Sequence, residues 1–191
     1  MPASFSGICG MKPTWGLVPY TGIMPIEIFV DHTGPMTATV ADNALLLEAI
    51  AGDDGYDPRI KAPKVQPYSQ MLGGGVGGLR IAMVAEGFKQ PNGEKAVTEK
   101  VYAAGRRLEQ LGAKVQEVSI PMHSAGPAIW TPIGVEGLTQ TMMWGDGYGL
   151  SRSDLYAVSL MDFHRGWRHR ANELSETTKL FLMLGTYILN E

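Results

Sequence analysis

The chain has 191 residues, 45% of them hydrophobic and 18% charged, with a formal charge of −3 at neutral pH. That balance belongs to a soluble globular protein of one ordinary domain with a core to bury. No basic stripe is present, which argues against nucleic acid and against an anionic membrane surface as partners.

Cys9 is the single cysteine, so no intrachain disulfide forms and a reducing, cytoplasmic setting is expected. Met1-Pro2-Ala3-Ser4 carries neither the basic start nor the apolar run of a secretory signal. The apolar run at 180–184 is too short to cross a bilayer. The 24 glycines and 12 prolines predict many tight connections.

In chain order, residues 1–37 read as short strands and loops, with apolar runs at 16–20 and 26–30 between turn signals. Thr39 and Asp42 have the spacing of a reciprocal capping box. They open a helix with Leu46 and Ile50 on one face and Leu45 and Leu47 beside them. Gly52 supplies its left-handed stop. Residues 53–78 read as a long flexible connection, a place for a boundary between substructures rather than between domains.

The clearest unit follows. Residues 79–84 form a strand. Residues 94–111 form a helix whose Val97, Val101, Ala104, Leu108 and Leu111 make one apolar stripe. Gly112 ends it, and residues 114–118 form a second strand. This is a βαβ crossover with parallel strands. Beyond His123 the chain is mostly helical: one helix over 126–143, a break at 144–149, a second helix over about 154–173, and a third capped by Ser175.

Most candidate chemistry has a plainer reading. The glycines at 73–78 precede a strand rather than follow one, and no Lys-Ser/Thr pair accompanies them, so they read as a link and not a phosphate loop. His164 and His169 lie five apart, about 140° around a helix, too far for one metal. No metal or cofactor is expected. Asp53, Asp54 and Asp57 lack the glycine and glutamate of a calcium loop and read as a solvated acidic turn. Ser4 and Ser6 lack the glycine two places before a nucleophile elbow. Trp130 and Trp144 are either core or pocket wall, and Trp130 is kept as a candidate wall for an apolar substrate.

The opening carries more. Residues 1–14, Met-Pro-Ala-Ser-Phe-Ser-Gly-Ile-Cys-Gly-Met-Lys-Pro-Thr, resemble the stretch that follows Gly-Gly-Ser-Ile-Arg in the amidase signature family. Trp15-Gly16-Leu17-Val18-Pro19-Tyr20, Asp31-His32-Thr33-Gly34-Pro35-Met36, Ile50-Ala51-Gly52 and Asp57-Pro58-Arg59 continue the likeness, which runs more weakly to Leu174-Ser175-Glu176-Thr177. Within that family the chain resembles bacterial amidases of the kind that accompany nitrile hydratase.

The resemblance implies an α/β fold: a fragment of the amidase-signature α/β/α sandwich, with a mixed sheet between helices. It reads residues 1–191 as one partial domain, truncated at both ends. It implies hydrolysis of a carboxamide to acid and ammonia through an acyl-serine, by a Lys–Ser–Ser triad with a backbone oxyanion hole. In that alignment the nucleophile falls three residues before Met1, and the relay serine and lysine fall further upstream. No catalytic residue is therefore assigned within the chain, Lys12 included, and the chain alone is expected to be inactive.

Pocket lining does carry over: Trp130 as an aromatic wall for the acyl group, and Ile28 and Phe29 on a loop near the substrate. Ser6 falls behind the catalytic loop, supporting it without touching substrate. Two alternatives stand beside this reading: one part of a split amidase, or a non-catalytic binding or oligomerisation module. Apolar faces at the two ends favour self-association or a covering partner.

Overall fold

A computed structural model describes residues 1–23, 27, 29–144, 162–163 and 165–191. These divide into two compact units, Met1–Met71 with Thr131–Glu191, and Leu72–Trp130. One point of division, between Met71 and Leu72, lies within residues 53–78, and the other, between Trp130 and Thr131, lies within the stretch read as a helix.

In the first unit, α1 (Pro2–Ser6) starts with proline at its first position, where no N–H is needed, and ends at Gly7 in the left-handed conformation. Strand β1 (Cys9–Gly10) pairs antiparallel with β2 (Met36–Thr37). Helix α2 (Val40–Ile50) begins as expected at Thr39, whose hydroxyl accepts the Asp42 N–H at 3.1 Å. The return half of the box differs. The Asp42 carboxylate takes the Thr39 hydroxyl proton at 2.7 Å, not the Thr39 backbone N–H. The buried face of α2 is also rotated from the expected one. It carries Asn43, Ala44 and Leu47, whereas Leu45 and Leu46 are exposed. The polar Asn43 sits inside because two loop carbonyls and a threonine hydroxyl accept its amide hydrogens. Full burial of Leu47 contributes about 1.5–3 kcal/mol.

Helix α4 (Gly126–Thr139) runs on into a π-helical turn, Gln140–Trp144. Ser175 caps α5 (Glu176–Asn190) as expected, accepting the Thr178 N–H at 3.2 Å. Gly185 of α5 lies against Val135 and Thr139, both almost fully buried. A 3-10 segment, Gly166–Glu173, precedes α5, where the sequence suggests the end of a longer helix; of the rest of that helix Asp162, Phe163 and Arg165 are helical and the others lie outside the described residues, and of the expected break at 144–149 Trp144 still belongs to the π-helical turn while 145–149 lie outside the described residues.

The second unit is the expected crossover. Strands β3 (Arg80–Val84) and β4 (Lys114–Val118) are parallel, with α3 (Lys95–Gln110) between them. The apolar stripe does not lie where expected. Val97, Val101 and Leu111 are exposed, and the strand-facing side carries Tyr102 and Gly105. Gly105 is buried against Met83 and Val115. A two-stranded sheet is narrow, and a glycine lets the helix settle onto it closely, so the contact strip falls about 100° from the aliphatic stripe.

Among the described residues the strands form two two-stranded ladders, one antiparallel and one parallel. Among the described residues no helix is long and apolar enough to cross a membrane.

Candidate functional site

Residues 8–36, part of the stretch that carries the family likeness, hold little regular structure among their described residues and are fixed from two sides. On one side stands Asn43. Its side-chain amide donates to the carbonyls of Cys9 and Pro35 at 3.3 and 3.1 Å and to the Thr37 hydroxyl at 3.1 Å. One buried residue thus ties β1 and the loop before β2 to α2. The Met11 N–H adds a bond to the Pro35 carbonyl at 3.1 Å. Gly34 permits this approach: a Cβ there would stand 2.0 Å from the Met11 carbonyl oxygen.

On the other side stands the pair Asp57–Arg59, with side chains 4% and 11% exposed. Asp57 also accepts the Tyr20 N–H at 2.8 Å, and Arg59 donates to the Asp31 carbonyl at 3.2 Å. The guanidinium lies over the rings of Tyr20 and Trp15, 4.8 and 5.9 Å from their centroids. Burial works against ionisation of Asp57. The Arg59 guanidinium and the N–H groups of Arg59 and Tyr20 outweigh it and hold the carboxyl below its usual range. The expectation of a solvated acidic turn therefore fails at Asp57. Asp53 and Asp54 do serve as turn acceptors, bonding the N–H groups of Gly55, Tyr56 and Asp57. A cleft of about 400 Å³ lies beside the pair, with Thr14, Trp15, Arg59 and Tyr68 in its lining.

Lys12 is likewise structural. Its ammonium donates to the Pro13 carbonyl at 3.0 Å and meets His32 Nε2 at 3.4 Å. His32 Nδ1 lies 2.7 Å from the Val30 carbonyl. That carbonyl requires a proton on Nδ1, which leaves Nε2 as the acceptor for Lys12. Lys12 is a brace of the Lys-Pro-Thr turn.

Phe29 occupies a turn braced by Glu27, whose carboxylate accepts the N–H groups of Phe29 and Val30 at 2.7 and 3.0 Å. Its ring is 73% exposed. Ile28 lies outside the described residues. Ser6 is exposed at the end of α1. Trp130 is half-exposed on α4, two residues before Pro132. Ser6 and Phe29 belong to the first unit and Trp130 to the second. Trp144 is half-exposed and His169 exposed, while His164 lies outside the described residues.

No serine hydroxyl among the described residues bonds to a lysine or histidine. Ser4 donates to the Met1 carbonyl, Ser69 to Glu48 and Ser119 to Glu86. Nor do the described residues contain a cluster of three or more His, Cys, Asp or Glu placed to hold a metal.

Sequence reasoning missed Asn43 and the Asp57–Arg59 pair. The available signals were a polar residue one place before Ala44 and four before Leu47, and an acid and a base two apart around a loop.

Known proteins share both the sequence and the fold. The chain is 40% identical over 189 residues to an enantioselective amidase of Rhodococcus rhodochrous, covering 98% of the chain and 36% of the relative. It is 38% identical over 191 residues to a glutamyl-tRNA(Gln) amidotransferase subunit of Lysinibacillus sphaericus strain C3-41, covering 99% of the chain and 38% of that relative. The crystal structure of the native peptide amidase from Stenotrophomonas maltophilia superposes with a TM-score of 0.64 at 28% identity, over 94% of the chain and 36% of that enzyme. The chain spans little more than a third of the length of each of these relatives. The family model described as Amidase matches residues 1–191 throughout, and the chain belongs to the amidase family.

Proposed function

We propose that residues 1–191 are the scaffold and acyl-pocket portion of a carbon–nitrogen hydrolase that converts a carboxamide to a carboxylic acid and ammonia through an acyl-serine. The observation that carries this reading is the family match over the whole chain. The cross-braced segment from Cys9 to Thr37 supports it, since it lies within the first 60 residues, where the likeness is most specific. In this reading the nucleophile, relay serine and lysine come from outside residues 1–191, and the chain alone does not turn over. The hydroxyls of Ser4, Ser69 and Ser119 each donate to a carbonyl or a carboxylate. None of the three meets a lysine, the ultimate base that this reading requires.

Trp130 is the proposed acyl wall, with Phe29 and Ile28 on a loop nearby and Ser6 behind the catalytic loop. The test is a graft in which residues 1–191 replace the matching span of the Rhodococcus rhodochrous amidase. Turnover of benzamide by the graft supports the reading, and Trp130→Ala within it lowers kcat/KM by about 10-fold or more. A folded graft without activity contradicts it.

A second reading has its own observation. Val97 (58% exposed) and Val101 (44%) on α3, with Leu111 (51%) just past its end, leave an aliphatic face open, and an open apolar face favours a covering polypeptide. The chain is then one part of a split amidase or an oligomerisation module. Size measurement of the purified chain distinguishes a monomer from an associated form.

A further inference from the structure

The cleft of about 400 Å³ beside the Asp57–Arg59 pair has a chemistry of its own. Its wall comes from residues within 14–17 and 59–68, in the first unit and remote in sequence from both ends of the chain. Its volume is that of sites for small organic ligands.

Arg59, Lys61 and Lys64 stand in this wall, and no carboxylate does. The Arg59 guanidinium is committed to Asp57. Lys61 and Lys64 are exposed, and among the described residues neither ammonium has a hydrogen-bond or ion-pair partner. A lysine stem is flexible, and its three donors turn to an anion that comes within reach. The wall is therefore cationic, although the chain as a whole has a formal charge of −3.

The two lysines belong to one stiff turn. Between them Ala62 has a φ of 45°, and among the described residues it is the one non-glycine with a positive φ. A residue with a Cβ keeps that conformation only where its surroundings enforce it. Pro63, next in the chain, fixes its own φ. The same wall holds Tyr68 and the partly exposed Trp15. An open indole face suits a flat apolar group.

We propose that this cleft binds a small aromatic carboxylate, its charge met by Lys61 and Lys64 and its ring by Trp15. The site is independent of amide hydrolysis, so an acid with no C–N bond probes it.

The experiment titrates the 191-residue, 15N-labelled chain with benzoate, with benzyl alcohol, which has nearly the same shape and no charge, and with acetate, which has the charge and no ring. At low salt benzoate is expected to bind about 3- to 10-fold more tightly than benzyl alcohol, more tightly than acetate, and to move the Trp15 indole N–H resonance, assigned with Trp15→Phe. Salt at about 1 M is expected to remove most of the preference over benzyl alcohol, because exposed ion pairs are screened. Lys61→Gln together with Lys64→Gln changes exposed side chains, so the fold is expected to persist, and benzoate is expected to fall to the affinity of benzyl alcohol. Binding of none of the three, benzoate no tighter than either analogue, benzoate binding without movement of that resonance, or a double variant that keeps the preference overturns the proposal. The wild-type comparison decides the matter even where the variant does not fold.

Discussion

Asp57 grips the guanidinium of Arg59, two residues further on, through both carboxylate oxygens at 2.9 to 3.2 Å. The pair stands between residues 15–20 and Asp31, and it fixes one side of the loop that carries the family likeness.

Removing one partner of this pair strands the other. Asp57→Asn is expected to destabilise the chain by about 3–5 kcal/mol, measured by urea denaturation at neutral pH. The native Asp57 carboxyl titrates below its unfolded value. Its contribution is therefore complete above the unfolded pKa of about 3.9 and is lost as pH falls through the lower folded value. The stability gap between wild type and Asp57→Asn should stay constant from neutral pH down to about pH 5 and narrow below about pH 4. A gap that widens on acidification would contradict this sign.

Asn43→Ala removes a side chain that satisfies two carbonyls and a hydroxyl. The expected loss is about 1–3 kcal/mol. Amide exchange should also rise at Met11, whose N–H bonds Pro35, because the loop before β2 loses its anchor. Unchanged exchange there would refute the anchoring role.

Gly185→Ala sets two effects against each other. Alanine gains about 1 kcal/mol in a helix interior. Its Cβ, however, would stand 2.0 Å from the Thr139 hydroxyl and 2.6 Å from the Val135 carbonyl oxygen. A hydroxyl can rotate away, but a helix carbonyl cannot, so α5 must move. Overpacking of this kind costs about 1–3 kcal/mol, and a net fall in Tm is expected. A rise would show that α4 and α5 do not pack this closely.

Val97 and Val101 test the second reading. Replacing both with glutamate leaves folding stability within about 0.5 kcal/mol, because exposed positions tolerate charge. If α3 offers its face to a partner or a second copy, the change shifts the chain toward monomer in sedimentation. Loss of stability would instead place these valines in a core.

How far the sequence reached follows from what each residue meets. The βαβ unit was legible because strand, helix and strand each show their own period. The helix starts at Thr39 and Ser175 were legible from local chemistry. The packing face of α3 was not, because apolar content marks Val97 and Val101, whereas contact with β3 and β4 is decided by Gly105, which carries no side chain to count. Asn43 was illegible for a related reason. Its burial depends on three acceptors from residues 9, 35 and 37, and no periodicity encodes their arrival. Asp57 looked like its neighbours Asp53 and Asp54 until Arg59 folded back onto it. The family likeness at residues 1–14 pointed to the amide-hydrolase family and left the placement of Phe29 and Trp130 to the fold.

The most direct test places the purified chain and the grafted enzyme side by side with benzamide and follows ammonia release, with a fluorophosphonate probe and mass spectrometry reporting any acylable serine. Background release and no labelled serine are expected for the chain alone, and turnover with one labelled serine, outside residues 1–191, for the graft. Turnover by the chain alone, or an adduct on any of its serines, would contradict the claim that its chemistry is supplied from elsewhere.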